Sequence, residues 1–204
     1  MRIHSMLKAL ACAVLLLPVA AVADEPAVYK VDTAHSGVAF SIRHFVSNVP
    51  GRFKDFEGTI KYDKANPAAS SVEFTVKSAS IDTANNDRDE HLRSPDFFEA
   101  AKHPSWSFTS TKVAAKDADT LDVTGNLTIK GVTKEVTLPV EFLGTVATPR
   151  GEKAGFETSF TVNRKDYGIT WNRLLDAGGA VLGDDVKVTI TIEANRQQAA
   201  APTQ

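Results

Sequence analysis

The sequence is poor in sulfur. It has one cysteine and two methionines among 204 residues, and all three (Met1, Met6 and Cys12) lie at the start of the chain. The rest of the chain therefore cannot form a disulfide framework, a cysteine-ligated zinc site or an iron–sulfur cluster, and it offers no thiolate nucleophile. A domain without these supports depends on its hydrophobic core for stability.

The sequence also lacks an excess of positive charge and any recognisable catalytic motif. Its 23 Lys and Arg residues are balanced by 25 Asp and Glu residues, without a basic run, so nucleic-acid binding is not expected. No G-x-S-x-G, H-E-x-x-H or strand-linked glycine-rich motif occurs. Of the five histidines, the four that follow residue 23 (His35, His44, His91 and His103) lack metal-ligand spacing. We therefore predict no catalytic residues, no metal and no cofactor.

The N-terminus has the features of a secretory signal. Arg2 and Lys8 precede an apolar run over 9–20 that Pro18 interrupts, and Ala-Val-Ala follows as a small-x-small cleavage pattern. The run is shorter than the roughly 20 apolar residues that a membrane helix needs. We predict a cleaved signal peptide over 1–23 and no permanent membrane anchor.

The following residues alternate between apolar and polar side chains. Three stretches, 72–76, 136–142 and 186–192, show this period of two most clearly, as in antiparallel strands with one buried face. Further strands are predicted at 29–32, 38–45, 52–62, 106–113, 121–129 and 156–162. Eight or nine strands in one domain over 24–194 predict an all-β barrel or sandwich, followed by a disordered tail over 195–204.

Local signals refine this prediction. Lys130 and Gly131 read as a tight hairpin turn, and Pro139, which cannot donate a ladder hydrogen bond, is expected at a strand edge or a bulge. The charged segment 83–101 breaks the period and predicts two short helices, since Ser94 followed by proline resembles a helix start.

Inward-facing aromatic residues are the main candidates for a binding site. Phe40, Phe74, Phe108, Phe142 and Phe160 share inward parity on different strands. Barrels of about eight strands either fill such a face or leave a cavity, and periodicity alone leaves both alternatives open.

The polar residues near the inward-facing phenylalanines can have either a structural role or a role at a cavity. His44 continues the parity of Val38, Phe40 and Ile42, so it is either a satisfied core histidine or the lip of a cavity. The run from Arg88 to Arg93 is either a solvated helix or a polar cap over the barrel.

Five stretches of the sequence are distinctive. They read YKVDTAHS over 29–36, GRFKDFEG over 51–58, DTANNDRDEHLRSPDFF over 82–98, GNLTIKGVTK over 125–134 and NRKDYGITWN over 163–172. Together they resemble the YceI-like family. The resemblance extends in matching order over about 27–194, which is nearly the whole predicted domain.

The resemblance implies a periplasmic, lipocalin-like antiparallel β-barrel with an elongated apolar cavity that holds a long-chain lipid such as a polyisoprenoid. On this basis we expect the lipid-binding wall to comprise Val38, Phe40, Ile42, His44, Phe74, Val76, Trp106, Phe108, Phe142, Phe160 and Trp171. Arg88, His91 and Arg93, together with His44, are expected at its polar end.

The sequence thus favours a periplasmic carrier or storage protein for a long-chain isoprenoid-type lipid. Two alternatives stay open: a stress-responsive interaction module with a filled core, and an enzyme acting on the lipid, for which His44 or His91 would be the available base. An exposed strand edge would also allow a homodimer.

Overall fold

The computed structural model describes residues 25–173 and 181–198. The predicted signal peptide and residues 199–204 of the predicted tail lie outside this range. The strands are β1 Ala27–Val31, β2 Gly37–His44, β3 Ser47–Phe53, β4 Phe56–Tyr62, β5 Ser71–Lys77, β6 Ile81–Asp82, β7 Ser105–Ala115, β8 Thr120–Ile129, β9 Val132–Thr148, β10 Gly151–Asn163 and β11 Leu182–Arg196.

These segments form a closed, eight-stranded antiparallel barrel. Three of its strands are bent, and each consists of two consecutive segments: β1 with β2, β3 with β4, and β5 with β6. The first bent strand pairs with the second through β1–β4 and β2–β3. The second pairs with the third through β4–β5 and β3–β6. The chain then proceeds from neighbour to neighbour through β7, β8, β9, β10 and β11. Because β11 pairs back onto both β1 and β2, the all-β barrel prediction is confirmed.

The strand that closes the barrel extends beyond its predicted end. Asn195 and Arg196 were expected in the tail that follows residue 194, but they belong to β11 and pair with Lys30 and Tyr29. Arg196 also contacts the Glu152 carboxylate at 3.3 Å. Ring closure supplies backbone partners that the polar composition of these residues does not reveal.

The predicted hairpin turn joins β8 to β9. Lys130 and Gly131 both have positive φ angles, 48° and 76°, as a two-residue type I′ turn requires. Packing also disfavours a side chain at Gly131, since a Cβ there would lie 2.8 Å from His103 Cε1 and the His103 ring would have to move.

Pro139 lies on β9 just outside the stretch that pairs with β10. On one side it is paired with Asp122 of β8, whereas the described pairing with β10 ends at Val140 and Thr158. The missing N–H of the proline therefore faces a stretch without a β10 ladder, as the sequence predicts.

The segment between β6 and β7 contains one helix rather than two. Helix α1, Asn86–Arg93, is capped by the Asn85 side chain, which accepts a hydrogen bond from the Arg88 amide at 2.9 Å. It ends at Ser94, which is extended because Pro95 follows. Consecutive turns then replace the predicted second helix, with Glu99 at φ 48°.

The core lies inside the barrel. All five phenylalanines with predicted inward parity belong to this core or pack against it. In the described residues, no helix reaches the length and apolarity that crossing a lipid bilayer requires.

Candidate functional site: a divided apolar cavity

The barrel contains a cavity beneath α1 and the turns that follow it, which we call the helix-side chamber. Its volume is about 110 Å³, and its wall is apolar apart from Arg164. The wall consists of Phe40, Ile42, Phe53, Ile81, Leu92, Phe97, Phe98, Trp106, Leu127, Ile129, Phe160, Val162, Arg164, Tyr167, Ile169, Val186 and Val188.

A second cavity, the far chamber, lies further from α1. Its volume is about 80 Å³. It is bounded by Ile60, Lys61, Tyr62, Ser70, Val72, Phe74, Trp106, Phe108, Val113, Leu121, Val123, Leu127, Leu138, Val140, Phe156, Glu157, Thr158, Phe160, Ile190 and Ile192.

Trp106, Leu127 and Phe160 line both chambers and form the partition between them. Because one water molecule needs about 10–15 Å³ of such space, each chamber exceeds a packing defect. The interior is thus an elongated apolar space divided near its middle, rather than a filled core.

Glycines opposite the inward phenylalanines make room for their rings. Phe40 is paired across the sheet with Gly51, and a Cβ at Gly51 would lie 2.2 Å from Phe40 Cζ. A Cβ at Gly58 would likewise lie 2.5 Å from Phe74 Cδ2. The rings therefore cover bare backbone at these points, which keeps them against the wall of the cavity.

Several residues of the predicted wall do line the chambers. Phe40 and Ile42 line the helix-side chamber, and Phe74 and Phe108 line the far chamber. Trp106, together with Phe160, belongs to the partition described above. The structure thus brings these six residues together around one divided cavity.

Other predicted wall residues lie elsewhere. Val38 and Val76 are almost completely buried in the packed core, outside the walls of the two chambers. Phe142 packs at a ring distance of 4.6 Å against Tyr62 and borders an outer pocket. Trp171 contacts His91, with ring centroids 4.9 Å apart, instead of lining a chamber.

The residues predicted for the polar end lie outside the chamber walls. Arg88 donates to the hydroxyl and carbonyl oxygens of Thr83, each at 2.7 Å, and Arg93 donates to the carbonyls of Ala79 and Ile81. These arginines attach α1 to the preceding strand.

His44 and His91, the two histidines predicted for the polar end, also lie outside the chamber walls. His91 Nε2 lies 2.9 Å from the Asp96 carboxylate, and its ring packs against Phe97. His44 ends β2 and packs against Phe45 near the tip of the hairpin.

Arg164 is the charged group that does reach the helix-side chamber. It is only 4% exposed, and it donates to the carbonyl oxygens of Gly183, Ile169 and Trp171 at 2.7–2.9 Å. Asp184 lies 3.3 Å from its guanidinium, and burial lowers the pKa of Arg164. Sequence reasoning missed this residue because it lies in the 3₁₀ turn after β10, where strand parity no longer applies.

The helical segment also contributes wall residues that strand parity could not identify. Leu92, Phe97 and Phe98 close the barrel at this end. The ring of Phe98 packs edge-on against Phe53 at 5.6 Å. The paired phenylalanines after Ser94 were a usable signal, because two adjacent aromatics in a charged segment need a buried partner.

A wider, more polar pocket of about 470 Å³ lies outside the barrel near the ends of β1, β4 and β9. Tyr62 borders both this pocket and the far chamber. Tyr29 donates to Glu152 at 2.5 Å here, and burial together with this carboxylate raises the pKa of Tyr29 to about 12.

One cluster in the described part of the chain has the composition of a metal site. Ligand atoms of Asp32, His35 and Glu193 lie within 4.8 Å of one another. The Lys153 ammonium, however, contacts Asp32 at 3.1 Å and Glu193 at 2.5 Å, so a metal ion would compete with a cation already present.

Known proteins share this sequence and architecture. The family model of the YceI-like domain matches residues 29–194. Protein YceI of Escherichia coli is 43% identical over 174 residues, which cover 83% of this chain and 87% of that protein.

Two solved structures show the same fold. BcnA of Burkholderia cenocepacia has a TM-score of 0.73 at 27% identity, with 81% of this chain and 99% of that chain covered. A polyisoprenoid binding domain from Saccharophagus degradans has a TM-score of 0.61 at 18% identity, with 84% and 99% covered. By the family match and the identity to YceI, this chain belongs to the YceI-like family.

Proposed function

We propose that the protein binds a long-chain isoprenoid-type lipid non-covalently and carries or stores it in the periplasm. The observation that carries this proposal is the divided apolar cavity, which continues through the barrel on both sides of Trp106. The polyisoprenoid binding domain with the same fold supports the choice of ligand class.

The apolar walls supply the required binding energy without a chemical reaction. Burying each methylene contributes about 0.8 kcal/mol, so ten buried methylenes contribute about 8 kcal/mol before the cost of ordering the chain. A linear, flexible lipid suits two narrow chambers in series better than a broad ring system does, because it can pass the partition.

The N-terminal sequence supports the periplasmic location. A basic start, an apolar run and the Ala-Val-Ala pattern favour export followed by cleavage after Ala23. Mass measurement of the protein recovered from a periplasmic fraction should give a chain that begins at Asp24. Recovery of the uncleaved chain in the cytoplasm would contradict this location.

Organic extraction and mass spectrometry test the binding function directly. The purified protein is expected to release a near-stoichiometric long-chain lipid that is chemically unchanged after long incubation. Protein that is empty after expression in several hosts would overturn the proposal, and a chemically altered lipid would favour the enzyme alternative.

A chamber-filling variant provides a sharper test. Val188 lines the helix-side chamber between its cross-strand neighbours Phe40 and Phe160, so Val188→Trp is expected to exclude the lipid. The matched control is Lys187→Trp, because Lys187 is exposed on the same strand. Equal lipid retention by the two folded variants would contradict the assigned location.

A further inference from the structure

The wall of the far chamber contains a hydroxyl group that has no hydrogen-bond partner among the described residues. Thr158 Oγ1 is buried and has no hydrogen-bond partner among the described residues, and it is the only side-chain polar atom of that part of the chain in this condition. Buried polar groups are nearly always hydrogen-bonded, because burial without a partner destabilises the fold. The exception therefore needs a physical explanation.

Its position points to a ligand. Thr158 lies on β10 between Phe156 and Phe160, and all three line the far chamber. Its cross-strand neighbours are Ile190 and Val140, so the hydroxyl lies within an apolar wall. A valine would have the same shape at this position and would not bury a hydroxyl group without a hydrogen-bond partner.

A water molecule is a poor partner for this hydroxyl. A buried water needs two to four polar contacts to be stable, and the cross-strand neighbours of Thr158, Ile190 and Val140, offer no polar side-chain atom. A lipid differs from water in this respect, because contacts of its hydrocarbon chain stabilise it in the chamber while a single oxygen meets the hydroxyl.

We propose that Thr158 determines ligand specificity, an inference that rests on the proposed function. Its hydroxyl donates a hydrogen bond to an uncharged acceptor oxygen at one end of the bound isoprenoid lipid. The oxygen belongs to a carbonyl, ether or epoxide group. A rotation of about 120° about χ1 moves the hydroxyl to the position of the similarly sized methyl group and so turns the donor toward the chamber. A phosphate head is disfavoured here because burial of its charge in an apolar wall is costly.

This inference places the polar end of the ligand in the far chamber. The sequence had suggested the opposite region, near His44 and the arginines of α1. The hydrocarbon chain then passes the partition at Trp106 and occupies the helix-side chamber.

The test uses two probes, squalene and its mono-epoxide, which share an isoprenoid skeleton and differ by one acceptor oxygen. Dissociation constants are measured by displacement of a fluorescent lipid from the wild type, Thr158→Val and Thr161→Val. Thr161 is the control because it is exposed on the same strand. Wild type and Thr161→Val should bind the epoxide about fivefold or more tightly than squalene, and Thr158→Val should bind both equally.

The outcomes separate the two proposals. If wild type binds squalene but shows no preference, or if Thr158→Val keeps the preference, the role of Thr158 is overturned and the carrier function stands. If wild type binds neither probe nor the fluorescent lipid, the proposed function itself fails.

Stability provides a readout that needs no ligand. The empty Thr158→Val protein should unfold at a urea concentration equal to or above that of the wild type, because the variant removes an unpaired buried hydroxyl. A clear loss of stability would show that the hydroxyl has an internal partner, and it would overturn the assignment.

Discussion

The guanidinium of Arg164 donates a hydrogen bond from Nη1 to the carbonyl oxygen of Trp171 at 2.7 Å, and the same nitrogen reaches the Ile169 carbonyl at 2.8 Å. A buried charge thus holds the segment after β10 against the barrel. Because Arg164 also lines the helix-side chamber, it links the closure of the barrel to the wall of the proposed site.

Replacing Arg164 by methionine should destabilise the protein by about 3 kcal/mol or more, since the change leaves buried carbonyl oxygens without donors. Urea unfolding measures the effect. Lys165→Met is the control, because Lys165 contacts the same Asp184 from a more exposed position, and it should cost less than about 1 kcal/mol. Similar losses for the two variants would refute the bracing role of Arg164.

Replacing Gly51 by alanine should displace the Phe40 ring from the wall of the helix-side chamber. The added methyl would lie 2.2 Å from Phe40 Cζ, so we expect a loss of about 1–3 kcal/mol and weaker lipid binding. Thermal unfolding and lipid titration check these two effects. Gly37→Ala is the matched control on β2, since its nearest contact is an ordinary 3.4 Å, and it should change neither.

The two tryptophans should report differently on a ligand. Trp106 belongs to the partition between the chambers, whereas Trp171 packs outside their walls against His91 and Phe97. The emission change caused by lipid should therefore persist in Trp171→Phe and disappear in Trp106→Phe. A ligand response carried mainly by Trp171 would show that the lipid binds elsewhere.

Stability should fall at high pH because of Tyr29. Its folded pKa is raised to about 12 from an ordinary value of about 10, so folding favours the neutral phenol. The contribution is fully present below about pH 10 and is lost as the pH rises toward 12. Urea unfolding from pH 8 to 12 should show a steeper decline for wild type than for Tyr29→Phe.

Other tyrosines do not obscure this comparison. The pKa values of Tyr62 and Tyr167 are also raised by burial, but both residues are present in each protein, so the difference between the two curves comes mainly from Tyr29. Parallel curves for wild type and Tyr29→Phe would contradict the raised pKa that burial and the Glu152 carboxylate give Tyr29.

Much of the fold follows from local sequence. Alternation over 186–192 puts its valines and isoleucines on one face, because successive side chains of a strand point to opposite sides. The Lys130–Gly131 turn and the position of Pro139 follow equally from backbone chemistry. The second predicted helix failed because Phe97 and Phe98 dock into the barrel and the backbone turns at Glu99, with φ 48°, instead of continuing a helix.

By itself, the sequence determined that the domain is all-β, lacks sulfur after Cys12 and places five phenylalanines on inward faces, since these properties depend on composition and on a period of two. Only the tertiary structure decided that the interior is divided at Trp106, that Arg164 rather than the arginines of α1 reaches the helix-side chamber, and that Thr158 Oγ1 has no hydrogen-bond partner among the described residues. Cavities and unpaired groups arise where distant strands meet, and local periodicity carries no information about those distances.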